Sequence, residues 1–134
     1  MDLFAYGTLM EEAVFRRVAG SALSGVPAVA PGWIRRRVRG QVYPGIIPQA
    51  GGIVNGIVYA ELTPVAWKRL DAFEGEMYER STLVVRTEDG CDRNAFAYVV
   101  KSAFRSLLTA DDWSFDDFRS RDLPAYVRNL EVIS

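Results

Sequence analysis

The sequence predicts an α+β fold in which a small, mostly antiparallel β-barrel is flanked by helices. Strand signals, meaning short alternating or β-branched and aromatic segments, outnumber helical ones and follow the order β-α-β-β-α-β-β-α. The last two strands are joined by Glu88-Asp89-Gly90, a hairpin signal in which glycine supplies the positive φ. At 134 residues we expect one domain, residues 1–134, that buries roughly two-thirds of its unfolded surface.

Glycines and prolines divide the first half of the chain into its elements. Asn55-Gly56 lies inside the most apolar strand and marks either a bulge or the close approach of another backbone. Ile46-Ile47 stands between two turn signals and is a candidate pocket lining. The predicted elements are a strand over 2–6, a helix over 10–19, a loop over 21–31 with a short strand over 28–30, a strand or bent pair of strands over 33–42, turns over 43–45 and 48–52, and a central strand over 53–62.

The next helix is expected to end on a candidate catalytic carboxylate, Glu74. Thr63 is the expected N-cap and Pro64 the first helical residue, where a missing N–H has no consequence. Glu74 continues the apolar stripe that contains Leu70, and Gly75 is expected to supply the left-handed residue that ends the helix. The helix C-terminus and apolar surroundings would both raise the pKa of the carboxyl toward the range of a general base. The spacing alone also fits a solvated glutamate.

Two strands, over 78–87 and 93–101, and a C-terminal helical region complete the prediction. In that last region Ser114 is a candidate N-cap, and Phe115, Phe118 and Tyr126 are among the residues expected to make apolar contacts.

A second candidate site is the turn after the first strand. A strand, the Gly7-Thr8 turn and a helix start place backbone N–H groups around one concave spot, and such a nest attracts a carboxylate or phosphate. Alternatively, Gly7 merely permits a tight turn. The absence of a Gly-x-Gly-x-x-Gly pattern and of a P-loop lysine argues against a nucleotide.

Composition excludes several kinds of site. The sequence has no histidine and one cysteine, which excludes a Ser-His-Asp or Cys-His device and a zinc site with histidine or several cysteine ligands. An enzyme without a metal would therefore use a carboxylate, one of the two lysines, or a tyrosine as its base. The net charge of −1 provides no basic field for nucleic acid, and the cluster Arg35, Arg36, Arg37 and Arg39 is expected to be mostly solvated strand surface.

The expected location is the cytoplasm. The N-terminus lacks the basic and apolar regions of a signal peptide, and no later segment is long and apolar enough to span a bilayer, so no membrane is expected among the partners. Cys91 alone cannot form an internal disulfide, which agrees with a reducing compartment.

Three segments in this order resemble the gamma-glutamylcyclotransferase-like family, specifically its AIG2-like branch. They are Tyr6-Gly7-Thr8-Leu9-Met10, Tyr43-Pro44-Gly45-Ile46-Ile47-Pro48, and Leu70-Asp71-Ala72-Phe73-Glu74-Gly75 followed by Tyr78-Glu79-Arg80. The resemblance covers nearly the whole chain and implies a small β-barrel with flanking helices. Members acting on gamma-glutamyl amino acids carry Ser-Asn after the glycine. The Thr8-Leu9 of this chain looks more like members acting on gamma-glutamyl amines or on unidentified substrates.

The resemblance also implies an activity and roles for particular residues. Tyr6, Gly7, Thr8 and Leu9 would bind the α-carboxylate of a gamma-glutamyl compound, and Glu74 would act as acid and base. The reaction would be an intramolecular aminolysis that releases 5-oxoproline and a free amine from a gamma-glutamyl amine or amino acid, with no cofactor and no metal. Tyr78 and Tyr98 are further candidates for the pocket, and a loop N–H or the hydroxyl of Tyr6, Tyr78 or Tyr98 would stabilise the oxyanion.

Two alternatives stay open. The chain could be a non-catalytic small-molecule binding module of the AIG2-like type, or an interaction protein whose arginine run binds an acidic partner in a salt-dependent manner. The sequence does not identify the leaving amine or the oligomeric state.

Overall fold

Five strands close into a barrel in this computed structural model, which describes the backbone of residues 1–133 and the side chains of residues 1–130. The strand order around the barrel is β1-β3-β2-β4-β5. The four pairings β1–β3, β2–β3, β2–β4 and β4–β5 are antiparallel, while β1 meets β5 in parallel through Leu3 and Phe96. The mostly antiparallel barrel is therefore confirmed. The strands are β1 (Leu3–Ala5), β2 (Val26–Arg37), β3 (Pro44–Tyr59), β4 (Tyr78–Thr87) and β5 (Asp92–Val100).

Thr63 and Ser114 cap their helices as predicted, whereas the helix expected over 10–19 begins at Glu12, after a separate 3₁₀ turn. The Thr63 hydroxyl accepts a hydrogen bond from the Ala66 N–H at 3.2 Å, and the Ser114 hydroxyl accepts one from the Asp117 N–H at 3.1 Å. Gly20 has φ +79° and ends its helix in the left-handed conformation. The helices are a 3₁₀ turn (Thr8–Met10), α1 (Glu12–Ala19), α2 (Pro64–Glu74), a second 3₁₀ helix (Ser102–Leu107), α3 (Phe115–Asp117), a π-helical segment (Phe118–Asp122) and α4 (Leu123–Ile133).

The long β2–β3 ribbon corrects several boundaries. The expected loop over 21–31 is strand from Val26 onward, and the expected turn over 48–52 lies within β3, as do residues 44 and 45 of the other expected turn. The two strands stay paired while they bend, with a register shift between Pro31 and Trp33. Glycines at φ +88° and +79°, Gly32 and Gly51, absorb the bend. The glycines and prolines thus mark a bend and not the end of the ribbon.

Two hydrophobic clusters lie on opposite faces of the sheet. One joins strand residues such as Tyr59 to Phe15 of α1 and Leu70 of α2, so it lies outside the barrel under the helices. The other is built from strand residues of the alternate register, such as Phe4 and Val58, and fills the barrel interior. The apolar stripe expected for α2 is confirmed, because its inward residues are buried in the outer cluster.

Asn55-Gly56 marks the close approach of another backbone and not a bulge. The β2–β3 register is continuous through Asn55 and Gly56, whereas a Cβ added at Gly56 would overlap the carbonyl oxygen of Ala5 in β1. Glycine is therefore required where the end of β1 lies against β3.

Candidate functional site

A cavity of about 230 Å³ opens where β1 leads into the first 3₁₀ turn. Its walls come from β1 and that turn, from residues 43 and 44, from the end of α2 and the link to β4, from the first residue of β4, and from one residue each of β5 and α4. All seven residues singled out from the sequence contribute to it: Tyr6, Gly7, Thr8, Leu9, Glu74, Tyr78 and Tyr98. The structure therefore brings the two sequence-distant candidate sites into one cavity.

Glu74 is the last residue of α2 and lines this cavity. Leu70, one turn earlier on the same face, is fully buried, so the helix is anchored immediately before the carboxylate. Gly75 then takes φ +74° and ψ −161°, a conformation that ends the helix and that L side chains rarely adopt. Glu74 is half-buried, and burial raises the pKa of its carboxyl from 4.5 to about 8. Removal of water from the carboxylate is the cause of this raised pKa.

The Gly7 turn is held from several sides. The Met10 N–H donates to the Gly7 carbonyl at 2.9 Å, and the Tyr59 hydroxyl donates to the Leu9 carbonyl at 2.8 Å. The first N–H groups of any helical turn have no acceptor within that turn, so the Thr8 end of this one presents donors. A Cβ added at Gly7 would lie 2.9 Å from two ring carbons of Pro44. Gly7 is thus required by the close approach of Pro44, and its φ of −128° is one that other residues adopt readily.

The three tyrosine hydroxyls proposed for the oxyanion donate elsewhere. Tyr6 donates to the backbone carbonyl of Tyr98 at 2.5 Å, and Tyr78 donates to the carbonyl of Pro44 at 2.8 Å. Tyr98 donates to Asp71 Oδ1 at 2.7 Å. Burial raises the pKa of all three above the ordinary value of 10, with a further contribution from the nearby charge of Glu74. These hydroxyls therefore remain protonated at neutral pH, and their hydrogen bonds hold the cavity wall together.

Four partly exposed residues form the rim of the cavity: Tyr43, Phe73, Met77 and Tyr126. Tyr126 comes from α4, and its hydroxyl lies 3.2 Å from the Thr8 hydroxyl. Phe73 and Met77 flank Glu74 in the sequence, which is the signal that could have identified them. Nothing local distinguishes Tyr126, because its contact with Thr8 spans 118 positions of the chain.

Arg35 is not the solvated residue that the sequence suggested. Its side chain is 14% exposed, donates to the Tyr6 carbonyl at 3.1 Å and pairs with Asp112 at 3.0 Å. Its guanidinium also lies 5.4 Å from the centre of the Trp113 ring. Arg35 therefore supports the back of the Gly7 turn, whereas Arg37 and Arg39 are exposed as expected.

Ile46 and Ile47 do not line the cavity. Ile46 is fully buried inside the barrel, and Ile47 packs against the outer cluster. Their neighbours Tyr43 and Pro44 contribute instead, because β3 begins at Pro44 and its alternation points Ile46 into the interior.

No helix among the described residues is long and apolar enough to cross a membrane. The same part of the chain contains no group of three or more cysteine, aspartate or glutamate side chains placed to hold a metal ion.

The chain is similar in sequence and in fold to several known proteins. The family model described as "Gamma-glutamyl cyclotransferase, AIG2-like" matches residues 3–115. AIG2-like protein C of Arabidopsis thaliana is 35% identical over 127 residues, which are 94% of this chain and 73% of that protein. A solution structure of another Arabidopsis thaliana protein matches with a TM-score of 0.74 at 26% identity. The match covers 98% of this chain and 80% of the chain in that structure.

A structure described as a gamma-glutamyl cyclotransferase shares the fold. Its TM-score is 0.67 at 18% identity, over 75% of this chain and 66% of that one. The family match spans both the Gly7 turn and Glu74, while Tyr126 lies beyond it. The family match over residues 3–115 and the 35% identical relative show that the chain belongs to the AIG2-like gamma-glutamyl cyclotransferase family.

Proposed function

We propose that this protein is a γ-glutamyl cyclotransferase that releases 5-oxoproline and a free amine from a γ-glutamyl compound. The observation that carries the proposal is the position of Glu74, a poorly hydrated carboxyl with a pKa of about 8 that shares one cavity with the Gly7 turn. Membership of the family supports the choice of reaction.

The reaction needs the substrate to fold back on itself. The α-amine attacks the γ-amide carbonyl of the same molecule, a C–N bond closes the five-membered lactam, and the amide C–N bond to the leaving amine breaks. Backbone N–H groups of residues 7–9 would hold the α-carboxylate, while the walls around Tyr78 and Tyr98 confine the chain. Holding nucleophile and carbonyl together in this way replaces a bimolecular encounter by an oriented unimolecular one.

Glu74 would handle both proton transfers. In its ionised form it removes one proton from the substrate ammonium, which frees the amine to attack. As the new C–N bond forms, this nitrogen loses a second proton to solvent, and Glu74 delivers the first proton to the leaving nitrogen, which departs as the free amine. A pKa of about 8 suits both steps, because the carboxylate is a stronger base than an ordinary glutamate and its acid form is readily regained.

Stabilisation of the oxyanion falls to the backbone of the turn or to the Thr8–Tyr126 pair. The hydroxyls of Tyr6, Tyr78 and Tyr98 donate to protein acceptors and are not available without rearrangement. In the Thr8–Tyr126 contact either hydroxyl can be the donor, which leaves the second proton free for a ligand.

A panel of γ-glutamyl amines and amino acids tests the proposal directly. The purified protein is incubated with each compound, and 5-oxoproline is detected by mass spectrometry against a no-enzyme control. Time-dependent formation of 5-oxoproline together with one equivalent of amine is the expected result. Binding of panel members without turnover would instead indicate a binding module.

Gly7→Ala should weaken substrate binding by about tenfold or more, since displacement of the turn by even a fraction of an ångström spoils hydrogen bonds to a carboxylate. The added methyl group would lie 2.9 Å from the Pro44 ring and force the two apart. Isothermal titration calorimetry measures the dissociation constant, and circular dichroism confirms the fold. In the double variant with Pro44→Ala, which removes the opposing ring carbons, binding should partly recover. An unchanged dissociation constant in Gly7→Ala would assign the glycine to the turn alone.

Arg35→Lys should raise KM by about fivefold, the equivalent of one net hydrogen bond, while kcat changes less than about twofold. The reason is that the Tyr6 carbonyl and the Gly7 N–H belong to one planar trans peptide, so a donor on the carbonyl also fixes the direction of the N–H. Arg35 is thus a positioning residue. Arg37→Lys, on the exposed end of the same strand, is the matched control. A loss in kcat at constant KM would contradict this role.

A further inference from the structure

We propose that Asp71 is a positioning residue, whose carboxylate binds the hydroxyl of Tyr98 and so holds the last turn of α2, with Glu74, against the cavity wall. The inference rests on the proposed function, because it concerns how that site keeps its acid and base in place. Asp71 is not among the described residues that line the cavity, so it acts on the site only through its contacts.

Tyr98 joins the two halves of the site. Its hydroxyl donates to Asp71 Oδ1 at 2.7 Å, and its backbone carbonyl accepts a hydrogen bond from the Tyr6 hydroxyl at 2.5 Å. Asp71 lies one helical turn before Glu74. Tyr6 directly precedes Gly7. One buried residue of β5 is therefore bonded both to the helix end that carries the carboxyl and to the turn opposite it.

A second contact orients the Asp71 carboxylate. Arg80 is the partner of Tyr98 in the β4–β5 pairing, and its Nη1 lies 3.3 Å from Asp71 Oδ2. The guanidinium lies 4.8 Å from the centre of the Trp67 ring and 5.0 Å from that of Phe96, which keep it in place. Arg80 thus holds one carboxylate oxygen while the other accepts from Tyr98.

The bond from Tyr98 is the stronger of the two contacts. The Asp71 and Arg80 side chains are 47% and 33% exposed, and an ion pair so open to water contributes little free energy. The Tyr98 hydroxyl belongs to a buried residue, and a hydrogen bond to a carboxylate is about twice as strong as one between neutral groups. None of residues 71–74 is buried, so packing alone holds this last turn weakly.

The pH response of Glu74 reports whether it keeps its place. Burial raises the pKa of its carboxyl to about 8, so a carboxyl that moves toward solvent should titrate nearer to 4.5. Besides Glu74, the titratable side chains of the described lining are five tyrosines: Tyr6, Tyr43, Tyr78, Tyr98 and Tyr126. The charged side chains that the contacts above connect to this lining are Asp71, Arg80 and Arg35. Tyr98→Phe leaves all of these charges in place.

Two variants remove the bond from either side. Tyr98→Phe deletes the hydroxyl, and Asp71→Ala deletes its acceptor. We expect each to lower kcat at pH 9 by about tenfold while KM changes less than about twofold, because Glu74 acts in the chemical step and the Gly7 turn in binding. The pH midpoint of kcat/KM should fall from about 8 toward 4.5. The double variant should be no more than about twofold slower than either single variant, since both changes remove the same contact.

Asp92→Ala is the matched control. Asp92 is paired with Arg86 at 2.9 Å across the same two strands, and both side chains are about half exposed. Neither is among the described residues that line the cavity. This variant loses an aspartate and an ion pair to arginine, as Asp71→Ala does, but should keep the wild-type kcat and pH midpoint.

The outcomes separate this inference from the proposed function. A titration of the Glu74 carboxyl carbon by ¹³C NMR gives the midpoint without turnover. No 5-oxoproline from the wild type, with a lowered midpoint in Tyr98→Phe, would overturn the reaction and support the positioning role. Turnover by the wild type, with an unchanged midpoint in both single variants, would overturn the positioning role and leave the reaction standing, even if kcat fell. Independent losses that multiply in the double variant would also overturn it, because the two residues would then act separately.

Discussion

Replacing Glu74 by glutamine should lower kcat by about 10²–10⁴-fold, the typical contribution of a positioned general acid and base. Glutamine keeps the size and shape of the side chain at the end of α2 but cannot accept and return a proton. The measurement is the initial rate of 5-oxoproline release at saturating substrate. For the wild type, kcat/KM should rise with pH and level off above a midpoint near 8, because the ionised carboxylate removes the first proton.

The matched control is Glu76→Gln, the same chemical change two residues later at an exposed position. It should retain wild-type kcat and the same pH midpoint. Turnover in Glu74→Gln within threefold of the wild type would remove Glu74 from the mechanism, whatever the behaviour of the control.

The same substitution should stabilise the protein at alkaline pH. Burial raises the pKa of Glu74 from 4.5 to about 8, so between these values the folded state binds a proton that the unfolded state has already lost. The free energy of unfolding of the wild type therefore falls as pH rises through this window. Below pH 4.5 both the folded and the unfolded state carry the proton, so Glu74 does not lower the free energy of unfolding there. Glutamine never ionises, so we expect Glu74→Gln to exceed the wild type by on the order of 2 kcal/mol at pH 9.

Urea unfolding at pH 4, 6 and 9 measures the difference. The excess of the free energy of unfolding of Glu74→Gln over that of the wild type should be smallest at pH 4, larger at pH 6 and largest at pH 9, while Glu76→Gln follows the wild type throughout. If the difference in free energy of unfolding between Glu74→Gln and the wild type were the same at pH 4 and at pH 9, the Glu74 carboxylate would be well hydrated. A variant that loses activity and gains stability would show that the site holds its base at the expense of the fold.

Local chemistry was sufficient to predict the elements that hold Glu74. Three signals mark the ends of this helix: a capping hydroxyl at Thr63, a proline at the first helical position and a glycine after the last residue. Each lies next to the helix in the sequence, so it can be recognised without knowledge of the fold. The placement of Glu74 on the apolar stripe follows from helical periodicity alone. The sequence of strand, glycine and helix start also predicts the turn at Gly7, and the resemblance of three segments to a known family adds its role. No local pattern indicates the contact of this turn with Pro44.

Pairing across the sheet decided what local signals could not. Proline and glycine near residues 48–52 are typical of turns, yet β2 pairs with β3 on both sides of this segment, at Pro48 and again from Ile53, so the ribbon continues past it. Arg35 was assigned to solvent because arginines in a run usually are, and its partners Tyr6 and Asp112 lie 29 and 77 positions away. Residues recruited from so far along the chain are visible only once the fold is known.

The Thr8–Tyr126 contact couples occupancy of the cavity to the attachment of the last helix. Residues 123–130 pack on the barrel mainly through partly buried side chains such as Leu123, Tyr126 and Val127, which is typical of segments that open at low free energy. A ligand that rests against Tyr126 binds only the attached state and so lowers the frequency of opening. Amide hydrogens of this helix should therefore exchange more slowly with solvent deuterium as substrate or product is added, well before exchange from the barrel strands is affected.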